Sequence, residues 1–595
     1  MNLWQRDFAV AGTRGTIYSS DGTVLAQDIP ATSVVVVPAQ IEDPEKTAAK
    51  LADILQADEQ ELYEKLTRKQ STQKLQPEGR LIDDEQADAI EALELNGVYL
   101  VQDSLRYYPM GEYLGQVLGF TGIDNQGLSG LELQYDDLLK AQSGSLKIPL
   151  DAKGHNVRLY EETYEASGNG MDLTLTIDAN IQNIMEREMR NLMKRYKPER
   201  ALALAMDPDT GAILGMVSQP GFDPNHYADY DQETINQNLP VWMSYEPGST
   251  FKSVTFASAL ELELFDMFTD TYVDRGYEIV GGARIKSWRA GGHGLQTFLQ
   301  VLENSSNPGF VEISRRMGTQ RLYEYVKKFG FGEKTGVDLP GESAGIMFEL
   351  EAMGELETAT VVFGQGIAVT PIQLVTAFSA IVNGGTLYTP YITKSFNDPI
   401  SGDVIAQSEP KAKRRVISEE TSEKMRYALE SVVANGGGRN AYIEGYRIGG
   451  KTGTAQKAVD GAYLPDEYIL SFLSAAPMED PQIVLYVAVD APQNDVQYGG
   501  TVVAPVVKAM YEDILPYLGA EKSEEQLPKK LVWPETEAIV IEDFIGRSKD
   551  EVQQEGVIFE FFGEGDTVID QLPRGGVTLN ESGRVWIYLG EDTFE

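Results

Sequence analysis

Apolar positions alternate at Leu173, Leu175 and Ile177, the period of a strand with one buried face. After Asp178 they recur at Ile181, Ile184 and Met185, the period of a helix. Two apolar runs, 202–206 and 213–217, flank Asp207-Pro208-Asp209-Thr210-Gly211, whose Pro, Asp and Gly supply turn chemistry and predict a hairpin. A helix-rich block follows, and three late runs at 448–455, 469–475 and 483–489 read as strands. The pattern predicts a sheet covered by helices, hence one large α+β domain over residues 170–518.

The texture differs on either side. In residues 1–165 short β-like runs alternate with short helices. Residues 33–37 are β-branched, Asp43-Pro44 offers a cap and a first-turn proline to a helix through Leu51, Ile54 and Leu55, and a similar pattern occupies 83–95. This stretch holds no cluster of reactive side chains and reads as a scaffold or docking domain. Residues 519–533 open on a polar, charged run and read as a linker. In 534–595 a run at 538–541, a Gly at 546, a helical stretch from Ser548 and short β runs to Leu589 describe a small module. There is no repeat at solenoid period and no low-complexity tract.

Composition narrows the function classes. A chain of 595 residues exceeds one core, and roughly 150 residues per domain predicts two to four domains. The net charge of −41 argues against a nucleic-acid partner, which needs a surplus of Lys and Arg, and fits a solvated, self-repelling surface. With 0 Cys there is no disulfide and no thiolate zinc site. The 3 His, His155, His226 and His293, are far apart, which weakens a His-based metal site or a Ser/His/Asp triad. No run reaches the roughly 18 apolar residues that span a bilayer, and no signal-peptide run opens the chain. Residues 1–11 lead into Thr13-Arg14-Gly15 without a capping element, so a membrane anchor ahead of Met1 is expected.

The candidate chemistry begins with Ser249 and Lys252. A Ser followed three positions later by Lys puts a hydroxyl and an amine on one helix face, where a neutral amine can take the hydroxyl proton. Chance supplies on the order of one or two such pairs in a chain this long, and Ser71…Lys74 and Ser408…Lys411 are two. Context separates them. Ser249 follows Glu246-Pro247-Gly248, a turn that would start a helix at the serine, and Val254, Ala257 and Leu260 continue an apolar stripe. A helix N-terminus also favours an oxyanion.

Ser-x-Asn occurs at Ser167, Ser305 and Ser395, and Lys-Thr-Gly at Lys334 and Lys451. The first and third Ser-x-Asn triplets read as turns, and Lys334-Thr335-Gly336 as a surface turn. Ser305-Ser306-Asn307 instead joins two helical runs, where a short loop can aim side chains into a cleft. Lys451-Thr452-Gly453-Thr454 reads as an edge strand whose glycines let a ligand backbone approach.

In this order the three motifs resemble those of the serine penicillin-binding and β-lactamase superfamily. Three longer segments are similar to the class B transpeptidases: residues 245–252, Gly364-Gln365-Gly366 with Thr370-Pro371-Ile372-Gln373, and residues 449–455. Arg14-Gly15-Thr16-Ile17 with Asp21-Gly22, then 127–132, resemble the N-terminal pedestal domain of that class, and the last module is similar to a PASTA domain. Residues 119–133 and 425–457 resemble its spore-cortex branch, with division transpeptidases the near neighbour. Two departures stand out: Ser306 occupies a position that is often Cys in these relatives, and the family's anchor helix is missing.

The resemblance implies a peptidoglycan D,D-transpeptidase. Ser249 would attack the D-Ala–D-Ala carbonyl of a stem peptide, release the last D-Ala and pass the acyl group to a neighbouring amine. Lys252 would be the base, its pKa lowered by burial and by Lys451. Ser305 would relay the proton, and Asn307 would orient Lys252. Lys451, Thr452, Gly453 and Thr454 would hold the terminal carboxylate, and the N–H groups of Ser249 and Thr454 the oxyanion. β-Lactams would acylate the same serine. No metal or organic cofactor is implied. A membrane SEDS-family glycan polymerase, a contact between the PASTA-like module and muropeptides, and an extracytoplasmic, membrane-anchored location are. A β-lactamase or carboxypeptidase using water, and a β-lactam sensor or scaffold with an idle site, are the rival readings. Glu246 admits both a capping and a catalytic role, and Trp288 and His293 read as packing or loop-shaping residues.

Overall fold

Alternation decides which way each central strand faces. Leu202, Leu204 and Met206 join one buried cluster while Ala201, Ala203 and Ala205 join another, and Val484, Tyr486 and Ala488 separate from Leu485, Val487 and Val489 in the same way. Strands buried on both faces read as continuous apolar runs. The computed structural model describes residues 4–10, 12–141, 144–150, 163–165, 168–459, 462–493, 497–530, 539–554, 557–579 and 584–591. They fall into two compact units, Met1–Leu527 and Pro528–Glu595. His155 and Ser167 lie outside the described residues.

In the first unit the central sheet is built from β1 (Arg200–Met206), β2 (Ile213–Gln219), β3 (Gly449–Val459), β4 (Ala462–Ala476) and β5 (Ile483–Asp490), in the order β2-β1-β5-β4-β3. All pairs are antiparallel, Met206 opposes Ile213 across the expected turn, and β3 is an edge. Helix α1 (Ala179–Tyr196) starts where Asp178 accepts hydrogen bonds from the N–H groups of Asn180 and Ile181. With α7 (Ala504–Tyr517) it covers one face through Met185, Met189, Met510 and Tyr511. The other face carries α2 (Lys252–Glu261), α5 (Pro371–Val382) and α6 (Glu419–Asn435). Every residue of α5 is buried, and Thr370 with Gln373 forms its capping box. Two further helices, α3 (Phe298–Glu303) and α4 (Asn307–Met317), close the cleft beside β3.

The N-terminal residues share a sheet with this domain. Its order is Val404–Gln407, Thr393–Asn397, Asp172–Leu175, Ile17–Tyr18, Val24–Val36 and Gln73–Lys74, with Val98–Tyr107 also on Val24–Val36. Ile17–Tyr18 lies parallel to Asp172–Leu175, and Thr393–Asn397 flanks the latter on its other side. The β-branched run at 33–37 is therefore the end of a strand that starts at Val24. Asp43 caps Pro44–Leu55, and Asp83 forms a capping box on Asp84–Glu91, as the sequence predicts. Beneath, Arg14 contacts Glu132 and Asp136 at 2.6 Å each. Arg106 contacts Glu132 at 2.7 Å and Asp28 at 3.3 Å, with Glu132 fully buried.

Three short-range expectations change. Ser395 and Asn397 sit in the strand Thr393–Asn397, with the turn starting only at Asp398, because pairing to Asp172–Leu175 extends the sheet to that point. Thr335 is buried, not on a surface turn: its N–H and that of Gly336 donate to the Glu342 carboxylate at 2.5 and 3.1 Å. The first unit also continues past the helix that ends at Tyr517. Gln526 donates to the carbonyls of Ile443 (2.8 Å) and Tyr446 (2.5 Å) and accepts from Gly445 N–H (2.8 Å).

In the second unit, Ile558–Phe562 pairs parallel and Thr567–Leu572 antiparallel with Arg584–Gly590. Ile541, Phe544, Val552, Val568, Val585, Ile587 and Leu589 form its core. The helical stretch expected from Ser548 is a single 3₁₀ turn, Lys549–Glu551, closed by a capping box between Ser548 and Glu551.

Candidate active site

Two glycines shape the turn that carries Ser249. Tyr245 exchanges backbone hydrogen bonds with Val369 (3.2 and 2.9 Å), and Gly248 N–H donates to Gly364 O at 3.1 Å. Gly248 and Gly364 have φ of +54° and +80°. A Cβ at Gly364 would stand 2.2 Å from Gly248 O, so the two backbones meet only because neither has a side chain. Glu246 fastens the same elbow: its carboxylate accepts from Gly366 N–H (2.8 Å) and from the Tyr463 hydroxyl (3.0 Å). It is thereby a tie between the elbow, the glycine loop and β4.

The run Gly248–Phe251 is a 3₁₀ turn, and α2 begins only at Lys252. The sequence predicts a helix that starts at the serine itself. In a 3₁₀ turn residues three apart eclipse one another, so the tighter winding brings positions 249 and 252 into line. A Cβ on Gly248 would meet Thr454 O and Ala455 Cβ at 3.2 Å, which sets the Ser249 turn under β3.

Lys252 is fully buried. Its Nζ donates to Ser305 O (2.7 Å), Ser305 Oγ (3.0 Å) and Asn307 Oδ1 (2.7 Å), and it stands 5.2 and 6.0 Å from the ring centres of Phe310 and Phe363. Burial first, and the charge of Lys451 second, holds its pKa well below the ordinary lysine range. Lys451, also buried, donates from Nζ to Ser305 Oγ (3.0 Å) and Thr452 O (3.2 Å), and burial brings its pKa down to about 7. One hydroxyl thus accepts from two buried amines.

The loop between α3 and α4 makes this possible. Ser305 has φ +54°, a left-handed conformation that is uncommon outside glycine. Ser306 caps α4, its Oγ accepting from Gly309 N–H at 3.2 Å. Of Thr452 and Gly453 on β3, Gly453 faces the turn: a Cβ there would stand 2.3 Å from Ser471 Oγ and 3.0 Å from Thr250 Cγ2. Thr454 Oγ1 accepts from Gly499 N–H at 3.4 Å.

Lys252, Ser305, Asn307 and Lys451 therefore converge, with the turn that carries Ser249 packed under the edge strand that carries Thr452, Gly453 and Thr454. The rival pairs do not. Lys74 is taken by Asp103 at 3.2 Å, and Ser408 N–H donates to Lys394 O. Trp288 shapes the loop as read, donating from Nε1 to Asn304 O at 2.7 Å, with His293 and Tyr498 edge-on to its ring. Sequence reasoning passed over Asp274, Ser287 and the hydroxyl pair of Tyr245 with Tyr486. Each makes its contact only through the fold, with a partner beyond its own element.

A fold of this kind, with a serine turn beneath an edge strand and two enclosed lysines, matches known families. Residues 201–512 match the penicillin binding protein transpeptidase domain, and residues 9–175 the penicillin-binding protein dimerisation domain. The chain belongs to the class B penicillin-binding proteins, the serine D,D-transpeptidases. Among its relatives, stage V sporulation protein D of Bacillus subtilis (strain 168) is 48% identical over 591 residues, covering 99% of this chain and 92% of that protein. Peptidoglycan D,D-transpeptidase FtsI of Escherichia coli (strain K12) is 31% identical over 524 residues, 86% of this chain and 85% of that one. A peptidoglycan synthetase of Bifidobacterium adolescentis ATCC 15703, known as a crystal structure, superposes with a TM-score of 0.71 at 26% identity, over 88% of this chain and 99% of the other.

Proposed function

We propose that the chain cross-links peptidoglycan stem peptides through an acyl-enzyme at Ser249, and that it serves spore-cortex synthesis. The observation that carries the mechanism is the enclosed Lys252 amine, held by Ser305 and Asn307 beside a second lysine. Ser249 Oγ attacks the carbonyl between the two D-alanines and gives its proton to Lys252 Nζ. As an ammonium, Lys252 has three N–H groups for its three acceptors; as the neutral amine it has two, which leaves a lone pair for the incoming proton. The backbone N–H groups of Ser249 and Thr454 hold the oxyanion. Both lone pairs of Ser305 Oγ are engaged by the lysines, so its remaining capacity is to donate. It hands a proton to the departing D-Ala nitrogen and is reprotonated from Lys252. The C–N bond breaks, a Ser249 ester remains, and an amine of a neighbouring strand takes the acyl group by the reverse sequence. Lys451, with Thr452, Gly453 and Thr454, binds the terminal carboxylate.

β-Lactams acylate the same serine in this reading. A fluorescent penicillin is expected to label the protein once, at the peptide containing Ser249, and not to label Ser249→Ala. Label retained by that variant, or adduct released within seconds, would sink the proposal. The cortex assignment draws on the 48% identity to the sporulation protein, against 31% for the division enzyme. Reduced cross-linking of cortex, with septa unchanged, is expected on depletion; defective septa would give it the division role. The same reading makes residues 1–165 a pedestal, 170–518 the transpeptidase domain, 519–533 a linker and 534–595 a PASTA-like module that touches muropeptides. It also places the enzyme outside the membrane, anchored there and working with a SEDS-family glycan polymerase.

A further inference from the structure

We infer that Asp274 is a positioning residue for this reaction, acting through Ser306 to hold Ser305 between the two lysines; the inference rests on the roles proposed above for Ser305 and Lys252. Asp274 ends the short strand Thr271–Asp274 and is 1% exposed. Its Oδ2 accepts from Ser306 Oγ (2.8 Å) and Ser287 Oγ (3.1 Å), and its Oδ1 accepts from Gly276 N–H (2.8 Å). Among the described residues no cation pairs with it. A buried carboxylate without a counter-ion is costly and persists only where donors compensate it. Here two of the three donors are hydroxyls that meet behind the Ser305 loop.

The arrangement answers a conformational need. A non-glycine residue in the left-handed region costs about 1–2 kcal/mol, so Ser305 relaxes unless its neighbours are fixed. Ser306 is fixed from both sides, since its Oγ accepts from Gly309 N–H while donating to Asp274. The segment after Ala283–Lys286 holds the rest of the loop: Trp288 Nε1 donates to Asn304 O, Lys286 O accepts from Asn307 Nδ2 at 3.5 Å, and Ser287 shares the Asp274 carboxylate. Asp274 adds a third tie between this segment and the loop, through its two hydroxyl donors. It touches neither lysine, and no bond of the acyl transfer involves it.

The test is the acylation kinetics of the full chain with a fluorescent penicillin, resolved into the dissociation constant of the first complex and the rate of bond formation. Losing a hydrogen bond to a charged group corresponds to about a 10- to 100-fold change. Asp274→Asn is expected to slow bond formation by about that factor, to leave the first complex within a few-fold, and to reach one label per chain at long times. Ser287→Ala, which removes one of the two hydroxyls, is expected to give a smaller loss. In a Ser305→Ala background neither substitution should slow acylation further. Wild-type rates in Asp274→Asn, or losses that multiply in the double variant, overturn the inference. Thermal melting accompanies each measurement, and if Asp274→Asn does not fold, Ser287→Ala with its Ser305→Ala double carries the same comparison. A wild-type protein that takes no label refutes the function proposed for the site. A labelled wild type with an indifferent Asp274 refutes this inference alone.

Discussion

Two lysines reach one hydroxyl at the centre of the cleft, and their shared burial sets how the site answers to pH. Burial lowers the pKa of Lys252 most, and the charge of Lys451 lowers it further. Replacing it with Met removes a positive neighbour and raises the Lys252 pKa. The rising limb of the acylation rate against pH should therefore move to higher pH in Lys451→Met, as stopped-flow measurement with a chromogenic β-lactam would show. Stability carries the same signature. The folded pKa of Lys451 is about 7, against about 10.4 for a free lysine, so between these values the unfolded chain binds the extra proton. This contribution is full above the unfolded value and is lost as pH falls through 7. Lys451→Met should flatten the rise in unfolding free energy between pH 7 and 10. At Gly364 the constraint is steric: an alanine there meets Gly248 O and adopts φ +80°, for a cost of about 2 kcal/mol or more. A lowered melting temperature and slowed acylation would report both effects.

At the scale of elements, the cleft is assembled from ends rather than middles: the start of α2, the gap between α3 and α4, and the free edge of β3. Elsewhere, helix starts and strands were legible where local rules govern them. Asp178, Asp43 and Asp83 cap helices where the sequence predicts, and the runs at 202–206, 213–217, 448–455, 469–475 and 483–489 are the five central strands. What was not legible depends on partners distant in sequence. The 3₁₀ winding at Ser249 follows from the approach of Gly364, and the strand at Ser395 from pairing with Asp172–Leu175; nothing in either local sequence encodes them. Asp274 is a single acid in a four-residue strand, so its tie to a loop some thirty residues on has no periodic signature. Helix α5, buried on all sides, draws on its own cap: Thr370→Ala removes the bond from Gln373 N–H and should cost about 1 kcal/mol in urea unfolding.

For the whole molecule, boundaries follow contacts rather than composition. Gln526 grips the turn that leads into β3, so truncation after Leu527 should leave acylation intact. Truncation after Leu518 should lower both stability and rate. Glu132 is the acid between Arg14 and Arg106. Glu132→Ala removes the carboxylate shared by two buried guanidinium groups, leaving Arg14 with Asp136 and Arg106 with Asp28, and should cost about 3 kcal/mol, measurable by chemical denaturation. The shared sheet has a consequence in time. Ile17, Leu173 and Phe396 stand on neighbouring strands although roughly 380 residues separate the first from the last. A ribosome adding about 5–20 residues per second needs roughly 20–75 s to make that stretch. Throughout this interval the nascent N-terminal strands wait unpaired on one side, exposed to chaperones and proteases.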